Sequence, residues 1–114
     1  MDRSVAVRVL RLVGLGVRSR GAVVGVERVR EAAKKGKLAL ALVASDASRN
    51  SVDKVVPLLD ARRVRVVRMP SAAALGQAVG RDQTAAVGIV DGQLAHGIRE
   101  LLDSAPAGSE GEVD

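Results

Sequence analysis

The chain has 114 residues, a length suited to one compact domain. Phe, Tyr, Trp and Cys are all absent, which excludes base stacking on aromatic side chains, disulfides, thiolate metal sites and a cysteine nucleophile. Lys and Arg number 18 against 13 Asp and Glu, a net charge of +5, and 14 of the bases are Arg, the side chain that binds phosphate bidentately. The excess is uneven. Residues 1–37 hold ten bases and three acids, while 104–114 hold Glu110, Glu112 and Asp114 and no base, so the body without that tail carries +8. Such an excess points to a polyanion, with nucleic acid ahead of a merely Arg-rich surface.

Val5 to Val17 is apolar, yet Arg8 and Arg11 interrupt it and it falls short of the ~20 residues a membrane span needs. It reads as an amphipathic helix: Arg3, Ser4, Arg8, Arg11 and Arg18 on one side, Val5, Val9, Leu12, Val13 and Gly16 on the other. Gly14 and Gly16 weaken its second half and signal close packing or an early end. A short strand, Ala22 to Val24, leads into Gly25, and a second helix follows, closed by Lys34-Lys35-Gly36. Leu38 to Ala44 is an unbroken aliphatic run, the pattern of a strand buried on both faces. Ser45-Asp46-Ala47-Ser48 offers helix-capping chemistry for a third helix to about Ala61, which Pro57 is expected to kink or split.

Arg63 to Arg68 alternates and reads as an outer strand. Pro70-Ser71 opens a short fourth helix through Leu75 to Val79, stopped by Gly80, and a polar loop runs from Arg81 to Thr84. Ala85 to Val90 is a further apolar strand, and Asp91-Gly92 opens a last helix to about Asp103. Residues 104–114 read as a disordered acidic tail, leaving 1–103 as a single domain. The alternation of helices and strands predicts an α/β fold, a three-layer sandwich with helices on both faces of the sheet.

Catalytic chemistry is thin. His96 is the only histidine and the sequence advertises no positioned partner that would make it a general base, Gly14-Leu15-Gly16 lacks the third glycine and the preceding strand of a dinucleotide loop, and Asp46, Asp53, Asp82 and Asp91 have no metal-ligand spacing. No enzyme, cofactor or metal is expected. What remains is the helix start Gly25-Val26-Glu27-Arg28-Val29-Arg30-Glu31, where free N–H groups, a glycine that permits close approach, and Arg28 and Arg30 suit phosphate or guanine. Local chemistry alone also reads it as a solvated helix with charge pairs at i,i+3 and i,i+4.

Five segments carry a resemblance: Gly25 to Glu31; Lys34-Lys35-Gly36-Lys37-Leu38-Ala39; Leu42-Val43-Ala44-Ser45-Asp46-Ala47-Ser48; Pro70-Ser71 with Leu75-Gly76-Gln77-Ala78-Val79-Gly80; and Ala86-Val87-Gly88-Ile89-Val90-Asp91. In this order and spacing, over roughly Leu12 to Leu102, the chain resembles the YlxQ-like bacterial branch of the kink-turn RNA-binding ribosomal protein superfamily. The resemblance implies an α/β/α sandwich on a four-stranded mixed sheet. It also implies binding of sharply bent RNA, ribosomal or other, by a helix start and by the loop before the last strand, here Gly25, Val26, Glu27 and Arg28, and Arg81, Asp82, Gln83 and Thr84. A cytoplasmic, ribonucleoprotein-associated role follows from the same likeness. The binding element departs from the family pattern Gly-Thr-Asn-Glu with Lys three residues on: Glu27 stands for Asn, Arg28 for Glu and Glu31 for Lys, and Arg-x-Gly-Lys is replaced by Arg18-Ser19-Arg20-Gly21. Arg20 or Arg30 is expected to restore the charge that Glu27 and Glu31 remove. The competing reading is a protein-binding module that kept the scaffold and lost the RNA site.

Overall fold

The computed structural model describes residues 1–110, with side chains as far as Asp103. Nine elements alternate: α1 (Arg3–Arg18), β1 (Ala22–Val24), α2 (Val26–Lys34), β2 (Leu40–Ala44), α3 (Arg49–Ala61), β3 (Val66–Met69), α4 (Ala72–Ala78), β4 (Ala86–Ile89) and α5 (Gly92–Glu110). The strands form one mixed sheet in the order β1-β4-β2-β3, in which β4 runs antiparallel to both β1 and β2, and β3 runs parallel to β2. This is the α/β/α sandwich that the alternation predicts. Residues 111–114, the end of the expected acidic tail, lie outside the described residues.

Period two along the inner strands divides the core between the two faces. Leu40, Leu42, Val87 and Ile89 point to the face covered by α1, α4 and α5, where they meet Val9, Val13, Leu75, Ala95 and Ile98. Ala41, Val43 and Ala86 point to the other, where Val29 and Ala33 of α2 and Val55 and Leu59 of α3 pack on them. Without aromatics, the second layer is filled by bringing small residues close. A Cβ on Gly88 would stand 2.5 Å from Leu38 Cδ2 and 3.2 Å from Val23 Cγ2, so glycine there leaves room for these two side chains on the α2 face of the sheet. The glycines of α1 act similarly: a Cβ on Gly14 would stand 2.9 Å from the Ala78 carbonyl, and one on Gly16 would overlap Leu94 Cδ2. Close packing, and not an early helix end, is their role.

Element boundaries differ from the sequence reading where capping competes with periodicity. Arg63 belongs to no strand; it adopts φ 59° and closes α3, with Val64 N–H donating to Leu59 O at 2.9 Å, so β3 starts only at Val66. Helix α3 continues through Pro57, and the residue whose carbonyl loses its intrahelical donor there, Asp53, is exposed. Ser48 caps α3 by accepting from Ser51 N–H at 3.1 Å, while Asp46 reaches across to another helix, its Oδ1 accepting from Ala72 N–H at 2.7 Å at the start of α4. Asp46→Ala is therefore expected to cost about 1 kcal/mol through loss of that cap. In urea it should lower the unfolding midpoint without changing the slope; an unchanged midpoint would mean water replaces the carboxylate at no cost.

Candidate RNA interface

The sheet topology gathers the C-terminal ends of β1, β2 and β3 and the N-terminal end of β4 on one side, so α2, α3 and α4 all begin there. Each helix start carries a partial positive charge and unpaired N–H groups. Two of the three are occupied: Ser48 caps α3, and Ser71 and Asp46 cap α4. Helix α2 begins instead at Gly25, which has no side chain with which to cap it. Gly25 has φ 102° and ψ 153°, a combination that essentially only glycine adopts, and nothing lies within 4 Å of where a Cβ would project. The N–H of Gly25 is spent on Ala86 O at 2.9 Å, which ties the helix start to the head of β4, and the first N–H groups of α2 receive no side-chain cap.

That bond also brings the loop before β4 into the same region. Thr84 is buried, contrary to a contact role: its N–H donates to Ala72 O at 3.1 Å and its hydroxyl to Ala86 O at 3.4 Å, so it anchors the loop while Arg81, Asp82 and Gln83 are exposed. Gly76 gives the loop its seat, since a Cβ there would overlap Gln83 Cα and stand 2.7 Å from Gln83 N.

The acids of α2 are turned to bases of the chain itself. Glu27 lies 3.9 Å from both Arg30 Nε and Lys54 Nζ, and Glu31 is 3.1 Å from Lys35 Nζ. The hydrogen bond and then the charge of Lys35, with Arg28 and Lys37 adding, hold the Glu31 carboxyl below its ordinary range, so it stays ionised and paired. Arg28 is exposed in the first turn and keeps its guanidinium free of any hydrogen bond or ion pair among the described residues. Of the two arginines expected to compensate, Arg30 stands beside Glu27 within α2, while Arg20 lies elsewhere. Arg30 donates to Lys54 O at 2.5 Å and braces α2 against α3. Arg20 sits at the opposite end of β1 from Gly25, beside Gly21, whose carbonyl accepts from Val90 and Asp91; about 10 Å of extended chain separates the two ends. Arg49, the exposed first residue of α3, is on the interface side although sequence reading passed it over. Ser48 in front of it is the cap signal that could have drawn notice.

Residues 8–101 match the Ribosomal protein L7Ae/L30e/S12e/Gadd45 family. The chain belongs to this family. Within it, the chain is 30% identical over 92 residues to RNA-binding protein YlxQ of Bacillus subtilis (strain 168), covering 81% of this chain and 92% of that protein. A protein of unknown function from Bacillus halodurans superimposes with a TM-score of 0.77 at 26% identity, over 84% of this chain and 97% of the other. The Giardia lamblia 15.5kD RNA binding protein shares the fold, with a TM-score of 0.75 at 21% identity over 94% and 92% of the two chains. The family match starts inside α1 and ends inside α5, so it spans both candidate binding segments and the whole sheet.

Proposed function

We propose that this protein binds structured RNA of the kink-turn type, as a ribosome-associated or other ribonucleoprotein component, through the start of α2 (Gly25, Val26, Glu27, Arg28) and the loop Arg81, Asp82, Gln83. The observation that carries the reading is that α2 is the uncapped helix start at its end of the sheet and is bonded directly to the strand behind that loop. A bent RNA offers two backbone segments at an angle, and two binding elements of fixed geometry select that shape without reading bases. The family membership and the name of the Bacillus subtilis relative support RNA as the ligand. Glu27 and Glu31 each stand near a lysine or arginine of the same chain, which offsets part of the negative charge they present to phosphate. The role of Thr84 is to hold the loop in place.

The test is a gel-shift titration against a kink-turn RNA and a straight duplex of equal length at two salt concentrations. The expected result is a preference for the bent RNA that survives the higher salt. Arg28→Ala should lower affinity for it about tenfold, roughly 1.4 kcal/mol. Equal binding to both RNAs that vanishes with salt would reduce the interaction to generic charge and favour a protein partner on the same scaffold.

A further inference from the structure

Helices α1, α2 and α3 stop at the end of the sheet away from Gly25, and all three stop in the same way. Gly21 N–H donates to Gly16 O (2.7 Å) and Arg20 N–H to Val17 O (3.3 Å); Lys37 N–H to Ala32 O (2.9 Å) and Gly36 N–H to Ala33 O (3.1 Å); Val64 N–H to Leu59 O (2.9 Å) and Arg63 N–H to Asp60 O (3.0 Å). This motif places one residue in the left-handed conformation, for which glycine is the unstrained choice. Here those residues are Arg20 (φ 65°), Gly36 (φ 69°) and Arg63 (φ 59°), and the two arginines are the only non-glycine residues with positive φ among the described residues. A long cation is thus held where backbone strain argues for glycine, twice, at one end of the molecule.

The surroundings make that end cationic. Arg20, Lys34, Lys37 and Arg63 are exposed, and none of their side chains has a hydrogen bond or ion pair among the described residues. The acids nearby are largely taken: Glu31 pairs with Lys35, Asp103 with Arg65, and Asp91 accepts from Gln93 and Leu94 at the start of α5, leaving Asp60. The exposed Val7 and Leu15 line a groove between α1 and α4 instead of these helix ends, so the patch has no large apolar anchor of the kind a protein interface is built around. Exposed cations without a large apolar anchor among the described residues match a phosphate backbone.

We propose that this end is a second RNA-backbone surface, formed by Arg20, Lys34, Lys37 and Arg63, so that the protein holds one RNA segment at the start of α2 and a second at the far end of the sheet. The proposal rests on the reading that the protein binds RNA. It assigns to Arg20 a role remote from Gly25.

The test uses the full chain saturated with a kink-turn RNA, to which a labelled straight RNA duplex is added in a native gel at low salt. Wild type should recruit the duplex. The double variant Arg20→Gly/Arg63→Gly should weaken recruitment at least fivefold while leaving kink-turn affinity within twofold, and its melting temperature should hold or rise because left-handed strain is relieved. Lys34→Gln/Lys37→Gln, which leaves those backbone positions untouched, should weaken recruitment in the same way. Failure of the saturated wild type to recruit the duplex, or undiminished recruitment by both double variants, overturns the second surface alone. A lower melting temperature with undiminished recruitment overturns it too and makes the arginines helix-end charges that stabilise the fold. If the wild type binds neither RNA, the RNA reading itself falls with it.

Discussion

Gly25→Ala is expected to destabilise the protein by about 1–3 kcal/mol, which for a domain of this size corresponds to a fall of roughly 4–12 °C in melting temperature. The cause is backbone conformation alone. At φ 102° and ψ 153° an L-residue is strained, yet no atom lies within 4 Å of the position a Cβ would take, so the methyl group meets no obstacle in the free protein. The empty space has a second consequence. If the start of α2 receives an RNA backbone, the methyl group occupies the path of approach, and kink-turn affinity should fall at a temperature where wild type and variant are both fully folded. The expected loss is tenfold or more, with binding to straight duplex changed much less. Scanning calorimetry and gel shift at 10 °C separate the two effects. A variant that melts lower but binds the bent RNA normally would place the ligand away from Gly25.

Much of the fold is legible in the sequence because each element carries its own period. The five residues of β2 are uniformly apolar since β2 lies between β4 and β3 with helices on both faces, and the sequence shows that burial directly. The α1 stripe and the Ser71 cap are equally local signals. What is not legible is which residues share an end of the sheet. Arg20 and Gly25 are neighbours in sequence, but the three extended residues of β1 carry them to opposite ends. Glu27 is exposed, and nothing local in the sequence shows that Lys54, from the next helix in the layer, stands 3.9 Å from its carboxylate. Asp46 lies beside one helix start in sequence and caps another in space. Each of these depends on strand order, which helical or strand periodicity does not encode. Arg63 fails for a different reason: alternating Arg and Val satisfies a strand pattern, while the capping geometry at the end of α3 claims the first of those residues for a left-handed turn.

Gly76→Ala should act in the opposite manner to Gly25→Ala, through space and not through backbone conformation. Gly76 is an ordinary helical residue of α4, where alanine would normally stabilise by about 1 kcal/mol. Its Cβ, however, would overlap Gln83 Cα, and would stand 2.7 Å from Gln83 N and 2.9 Å from Asp82 C, all of them backbone atoms that no rotamer change can move aside. The loop is bound in place on either side of that contact: Arg81 N–H donates to Gly76 O at 2.8 Å and Thr84 N–H to Ala72 O at 3.1 Å. Relief therefore requires shifting the loop or tilting α4, and the overpacking should outweigh the helix propensity, giving a net destabilisation of about 1–3 kcal/mol. Because Asp82 and Gln83 move with the backbone, the angle between the loop and the start of α2 changes, and discrimination between bent and straight RNA should fall more than affinity for RNA as such. Urea unfolding gives the first quantity, and paired titrations of the two RNAs give the second. Hydrogen exchange at the Thr84 amide, whose bond to Ala72 O must loosen if the loop moves, links them. A variant with raised stability and wild-type discrimination would mean that the loop yields without cost and that its seat on α4 does not set the RNA-binding geometry.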